Sequence, residues 1–261
     1  MKHLVVILLF TIPALSGYSQ EYPVKNGKPT SRGISQYIED NRDSLVAEYE
    51  RFVRDTLYNV WIYAEDLTQY DIVDSLELGR YYPHEVFINI AEKFLAYELD
   101  DLSRLRKTFT EESNKFVKGT VMHELTHAYI HQISLEMQVI DSVRVHRAYQ
   151  TYIWIIRTHE TFGSVFIEEG ICEYMAGKMG EIIPPRKPVR PANIEELTAR
   201  ENKYQFQYKY AASFLESFLD TTGFKKGVKI LLHNPPPTYE EILEPARFYG
   251  RLVVPHFSSG N

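Results

Sequence analysis

The stretch that decides the fold reads VMHELTHAYI and covers residues 121–130. On a helix, positions four residues apart lie on one face, so His123 and His127 can offer imidazole nitrogens to one metal ion. Zinc takes such ligands at about 2.0–2.1 Å, and a catalytic zinc site keeps one coordination position open. Glu124 projects beside that position, where its carboxylate can take a proton from water. The pentad 123–127 therefore predicts a helix with two zinc ligands and a general base.

A third ligand has to come from a separate element, and residues 166–177 offer one. Apolar residues recur there at helical spacing, while Glu169 and Glu173 lie four residues apart along the edge of the apolar stripe. Two carboxylates beside a core-facing surface are costly to bury unless a cation neutralises them. A zinc ion bound to the histidines is such a cation. The glutamates of residues 166–177 therefore argue that the pentad 123–127 is a metal site and not a chance match to the motif.

With these two motifs the chain resembles the gluzincin metallopeptidases, the thermolysin-like and aminopeptidase N-like group. In that group a glutamate on a later helix completes the HExxH site. Residues 169–174, which begin Glu169-Gly170 and end at Tyr174, are similar to its Glu-Gly-Phe-Ala-x-Tyr motif. The resemblance implies that Glu169 is the third zinc ligand. It also implies that Glu173 orients a ligand imidazole, most naturally that of His123.

Two alternatives bear on this ligand set. Glu168 is the other candidate ligand, because it lies nearer the middle of the apolar stripe. A one-residue shift, however, breaks the match to the Glu-Gly motif. The metzincin pattern is excluded, because Ile130 and Ile133 stand where it needs glycine and histidine.

Residues 208–223 are similar to the Tyr-x-Lys-Gly-Ala helix of the aminopeptidase N-like group, although Tyr210 and Ala211 replace its Lys and Gly. The resemblance implies that Tyr208 is the hydrogen-bond donor to the oxyanion that forms during hydrolysis. A tyrosine that only packs its ring on a helix face is an equally good interpretation. Tyr210, Tyr204 and His159 are the next candidates. The remaining histidines of interest are expected at the surface or as helix caps: His131, His146 and His233.

The first 19 residues predict a secretory signal peptide, with a short basic start, an apolar run at 4–15 and small residues after it. The apolar run is too short to span a membrane, so we expect export to the periplasm or the extracellular space and no stable membrane insertion. The chain has one cysteine, Cys172, so no internal disulfide is expected. A buried, small apolar role suits that cysteine best.

The net charge of the chain is −6, and no run of Lys and Arg forms a basic stripe. This charge pattern argues against a nucleic-acid partner. The proline-interrupted basic stretch 186–191 is typical of a solvated loop. A peptide or protein substrate remains the expected partner.

The pattern of apolar residues predicts an α+β fold, a mostly helical zincin-like domain with a small sheet before the metal helix. Residues 20–261 form one domain in this prediction, with the sheet and some helices in 20–110 and the helical metal-binding part in 111–261. Strands are expected at 57–63 and 85–90. The second is either an ordinary core strand, which the sequence slightly favours, or an edge strand that pairs with substrate backbone, as the gluzincin resemblance implies. The predicted helices cover residues 35–52, 91–107, 114–135, 138–158, 164–179 and 194–220, and a short one follows the capping box at 238–241.

The sequence thus predicts an exported zinc-dependent peptidase in which metal-activated water attacks the peptide bond. One alternative keeps the zinc and changes the substrate, as in an amidase that acts on cell-wall peptides. Another is a non-catalytic zinc-binding protein. The presence of Glu124 argues against the last, because structural zinc needs ligands but no general base.

Overall fold

The computed structural model describes residues 31–58, 60–65, 79–82, 87–91, 110–140, 161–180, 189–202 and 204–254. This part of the chain is mostly helical, with one small sheet that precedes the metal helix in sequence. The predicted signal peptide and most of the predicted helices 91–107 and 138–158 lie outside it. Among the described residues, no helix is both long and apolar enough to cross a bilayer.

The helices are α1 (Ser31–Val53), α2 (Thr110–Ile140), α3 (Phe162–Met179), α4 (Ile194–Thr198), α5 (Ala211–Thr222), α6 (Phe224–His233), α7 (Tyr239–Leu243) and α8 (Pro245–Arg251). A 3₁₀ turn at Arg200–Asn202 and a π-helix at Tyr204–Tyr210 lie between α4 and α5. The predicted helices at 35–52, 114–135 and 164–179 are confirmed, each slightly longer than predicted. The capping box that starts α7 is also confirmed.

The predicted single helix over 194–220 is wrong, because the structure divides this segment. Helix α4 ends at Ala199, whose backbone is extended. The side-chain amide of Asn202 then donates to the carbonyl of Glu196 at 3.1 Å and holds the chain in a tight turn. Apolar periodicity alone does not distinguish such a broken segment from a continuous helix.

The sheet has three strands, β1 (Trp61–Glu65), β2 (Gly79–Tyr82) and β3 (Phe87–Ala91), in the order β1-β3-β2. β3 pairs parallel to β1 and antiparallel to β2. Of the two alternatives for the strand at 85–90, the internal strand is confirmed and the edge strand is wrong, since β3 lies between two neighbours. β2, which the sequence analysis did not predict, is the edge strand that packs on α2.

Strand β1 begins four residues later than the sequence predicted. The backbone N–H groups of Leu57 and Tyr58 donate to side chains, to Glu50 Oε1 at 2.8 Å and to Gln132 Oε1 at 3.0 Å. These two amides are satisfied by α1 and α2, so they need no strand partner.

Helix α2 is enclosed on most sides. The fully buried residues in and around the pentad 123–127 are Val121, Met122, Leu125, Tyr129, Ile130 and Ile133. Within the pentad, the hydroxyl of Thr126 donates to the carbonyl of Met122 at 2.7 Å and accepts from the hydroxyl of Tyr49 on α1 at 3.1 Å. This contact satisfies a buried hydroxyl and joins α1 to α2 within the pentad.

Helices α2 and α3 run antiparallel at close range. A Cβ on Gly180, just after α3, would lie 2.3 Å from the Cα of Gly119 in α2. At the other end of the contact, His127 on α2 meets Glu168 on α3. Only glycine permits such an approach of the two backbones, and the approach places the histidines of one helix opposite the glutamates of the other.

Candidate metal centre

The two histidines of the pentad converge on one carboxylate oxygen. Oε2 of Glu169 lies 3.1 Å from Nε2 of His123 and 3.7 Å from Nε2 of His127. Ligand atoms at 2.0–2.1 Å from a tetrahedral metal are separated by about 3.3 Å, the edge of the tetrahedron. The spacing of these three atoms is therefore close to that of three ligands around one ion.

The other nitrogen of each imidazole faces a second carboxylate. His127 Nδ1 lies 2.8 Å from Glu168 Oε1, and His123 Nδ1 lies 3.5 Å from Glu173 Oε2. A carboxylate that accepts from Nδ1–H leaves the lone pair on Nε2, which is the form that binds a metal. Glu168, the alternative ligand in the sequence analysis, thus contacts the nitrogen turned away from the convergence point. Its position suits an orienting role, which the sequence analysis missed.

These carboxylates change the acid–base properties of the metal-free site. Burial by itself lowers the pKa of a histidine, but Glu169 and Glu173 outweigh it and raise the pKa of His123 well above its usual value. The pKa of His127 is raised against the same burial effect to about 8, mainly by Glu168. Protons on these imidazoles partly neutralise the carboxylates, and a dication can replace them.

Cys172 gives the site a further possible donor. One ligand atom from each of His123, His127 and Cys172 lies within 4.8 Å of the other two, so this group can hold a metal ion. The predicted burial of Cys172 is confirmed, since its side chain is fully enclosed. Burial and the nearby carboxylates, Glu169 first, raise the pKa of the thiol well above its usual value. A bound metal ion would ionise a coordinating thiol, so Cys172 and Glu169 are both candidate third ligands.

Glu124 is 5% exposed and faces the edge strand. A Cβ on Gly79 of β2 would lie 2.9 Å from Cγ and 3.0 Å from Oε1 of Glu124. Because Gly79 has no side chain, the carboxylate of Glu124 can occupy this space. The charge of Glu124 contributes to the raised pKa values of both histidines, so the carboxylate lies in the same electrostatic environment.

Tyr208 lies over the ring of His123, with ring centroids 6.3 Å apart and planes 22° from parallel. Burial and then the charges of Glu169, Glu124 and Glu173 raise the pKa of its phenol. The hydroxyl therefore stays protonated and available as a donor at any physiological pH. The structure thus places Tyr208 beside His123, and its role as the oxyanion donor stays a prediction.

The alternative donors are separated from this site or lie outside the described residues. The hydroxyl of Tyr210 donates to the backbone carbonyl of Ile242 at 3.2 Å, on the side facing α7. Neither the side chain of Tyr204 nor His159 belongs to the described part of the molecule. His131 differs from expectation, because it is buried and its Nδ1 lies 2.7 Å from the hydroxyl of Tyr81 on β2.

No protein-family model, curated protein or solved structure matches this chain. The resemblance to gluzincins therefore depends on the motif residues and on the geometry described above.

Proposed function

We propose that this chain is an exported zinc-dependent peptidase of the gluzincin type, with His123, His127 and Glu169 as the zinc ligands. The observation that carries the proposal is the convergence of both Nε2 atoms on one oxygen of Glu169. The carboxylates on both Nδ1 atoms support it, because catalytic zinc histidines are normally held in this way.

Zinc fits the donor set better than other common metals. Two imidazoles and one carboxylate are the ligands of many catalytic zinc sites, which keep a fourth position open. Magnesium and calcium prefer oxygen ligands throughout. When bound, a zinc ion lowers the pKa of water toward about 7 and polarises the carbonyl to be cleaved.

The protein's own groups then divide the remaining work. Glu124 takes the proton of the attacking water and later passes it to the leaving amine. The phenol of Tyr208 donates to the oxygen on which negative charge develops. The ring of Tyr208 lies against His123, and the charge of Glu124 acts on His123, His127 and Tyr208, which supports both roles.

The ligand assignment is tested by zinc content, measured by elemental analysis of the purified protein and three variants. We expect one zinc per chain in the wild type and in Cys172→Ala, and strongly reduced zinc in Glu169→Ala and His123→Ala. Zinc loss in Cys172→Ala together with full zinc in Glu169→Ala would make the cysteine the ligand and reject the gluzincin site.

The activity is tested on a diverse peptide library, with a chelator as the control. We expect cleavage that stops when the chelator removes the metal and returns when zinc is restored. If the zinc-loaded protein cleaves only cell-wall peptides, it is a zinc amidase, the first alternative function named above. A zinc-loaded protein that cleaves neither class would be a non-catalytic zinc-binding protein.

A further inference from the structure

Lys209 has no role in the mechanism above, yet it reaches the metal centre from a separate element. Its Nζ lies 3.3 Å from Oε1 of Glu173, and the side chains of both residues are largely enclosed, at 14% and 9% exposed. Glu173 uses its other oxygen, Oε2, toward His123 Nδ1. The three groups form a chain that runs from the π-helix through α3 to the metal helix.

The π-helix makes this contact possible. Tyr208 and Lys209 are consecutive, and both reach His123, one over its ring and the other through Glu173. Short π-helical segments occur often at functional sites, because their wider turn changes the directions of neighbouring side chains. Here the segment Tyr204–Tyr210 supports the same imidazole from two directions.

Glu173 needs such support because of its neighbours. Glu168, Glu169 and Glu173 lie within two turns of one helix, and all three approach the same pair of histidines. Like charges at this range repel and would drive Glu173 away from His123. A cation on the far side of Glu173 opposes that displacement in a largely enclosed site, where charges interact more strongly than in water.

We propose that Lys209 is a positioning residue of the metal centre, which acts by holding Glu173 against His123. The proposal rests on the zinc site proposed above. In this role Lys209 acts through Glu173 and is not itself a ligand. Its removal is therefore expected to weaken metal binding while the fold is kept.

The test is competition for zinc between a chelator of known affinity and the full-length protein. We expect Lys209→Met to weaken zinc binding about 10-fold and Glu173→Gln about 10–100-fold, the range for groups that support a ligand. Lys209→Arg keeps the positive charge and is expected to restore most of the affinity. Lys178→Met is the matched control, because Lys178 pairs at 3.2 Å with Glu216 and with Asp220 instead of a residue of the metal centre.

A double variant separates positioning from a general effect on structure. If Lys209 acts through Glu173, Lys209→Met adds little further loss in the Glu173→Gln background. Equal zinc affinity of Lys209→Met and the wild type overturns the proposal, as do fully additive losses in the double variant. Lys209→Gln replaces Lys209→Met if the latter fails to fold. A wild-type protein that binds no zinc rejects the proposed function and, with it, this inference.

Discussion

At the scale of single residues, Glu124 and Glu169 illustrate two uses of the same side chain. Glu169 lies where both Nε2 atoms converge, whereas Glu124 lies against the edge strand at Gly79. The two glutamates differ in position because Glu124 lies on α2 beside β2, whereas Glu169 lies on α3 opposite the histidines. The two carboxylates are therefore expected to respond differently to removal of their charge.

Glu124→Gln is expected to keep the zinc and to lose about 10²–10⁴ in turnover. The amide preserves size but cannot accept a proton, while the coordination is untouched. Zinc content and kcat on the best library peptide measure the two effects separately. Loss of metal from this variant would make Glu124 a ligand and contradict the mechanism.

Gly79→Ala tests the contact between the edge strand and the general base. The new Cβ would lie 2.9 Å from Cγ of Glu124, so the carboxylate must move. We expect kcat to fall about 10–100-fold with zinc content unchanged, because misplacement of a catalytic group by about 1 Å costs up to that factor. An unchanged kcat would show that Glu124 tolerates the shift or is not the base.

Tyr208→Phe removes one hydroxyl and leaves the ring over His123. If the phenol donates to the developing oxyanion, kcat falls about 10²–10³-fold and KM changes little. If the ring only packs, activity and thermal stability both stay near the wild-type values. Steady-state kinetics on a single peptide decide between the two.

At the scale of elements, α3 supplies Glu168, Glu169 and Glu173 to the histidines and also packs against α5 on another side. That second contact is close. A Cβ on Gly170 would lie 2.9 Å from both the carbonyl carbon and the Cβ of Ala211. Because Gly170 directly follows Glu169, the proposed third ligand, the packing of α3 on α5 and the position of Glu169 are coupled.

Gly170→Ala is expected to destabilise the protein by about 1–3 kcal/mol, the usual cost of overpacking a core contact. The urea midpoint gives the change in stability, and chelator competition gives the accompanying loss of zinc affinity. Gly250→Ala is the control, because nothing lies within 4 Å of the Cβ position there. The control should be as stable as the wild type or slightly more stable, since alanine favours a helix. Equal stability of both variants would show that α3 and α5 can separate without cost.

At the scale of the whole molecule, charged groups on several elements join helices that are distant in sequence. Asp55, just after α1, accepts from the hydroxyl of Tyr129 on α2 at 2.9 Å and pairs with Lys225 on α6. Partial burial alone would raise the pKa of Asp55, but the contacts with Lys225 and Tyr129 lower it below its usual value. Asp55 therefore favours the folded state whenever it is ionised.

Asp55→Asn is expected to cost about 1–2 kcal/mol near pH 7, the range for a hydrogen bond to a charged group. The folded-state pKa lies below the unfolded value of 3.8, so this stabilisation is present above pH 3.8 and is lost as the pH falls through the folded value. Denaturant midpoints at several pH values should show the variant and the wild type converging in acid. Asp43→Asn, at a side chain 95% exposed, is the control and should differ little at any pH. A gap between Asp55→Asn and the wild type that stays constant down to acid pH would contradict the role of ionised Asp55.

The sequence by itself predicted the two helices that carry the candidate metal centre, and the structure confirms both. Both are long, apolar and strongly periodic, and the functional residues of α2 are spaced by the helix itself. The relative positions of His123, Glu124 and His127 therefore followed from helix geometry alone. Glu169 and Glu173 followed from the same periodicity together with a motif resemblance.

Only the tertiary structure decided how the two helices face each other. A shift of α3 by one residue would exchange Glu168 and Glu169. The match to the Glu-Gly motif favours Glu169, but apolar periodicity alone does not exclude the shift. The antiparallel contact through Gly119 and Gly180 sets the alignment, which puts Glu168 on Nδ1 and Glu169 between the Nε2 atoms.

The roles of Lys209, Gly79 and the edge strand β2 also depend on packing between distant segments. A four-residue strand that contains glycine and arginine lacks the alternation by which strands are recognised. Apolar periodicity also does not reveal the π-helix Tyr204–Tyr210, because the same periodicity predicted one continuous helix over 194–220. Local propensity decides which segments are helical, whereas contacts between segments far apart in the chain decide which side chains meet at the metal centre.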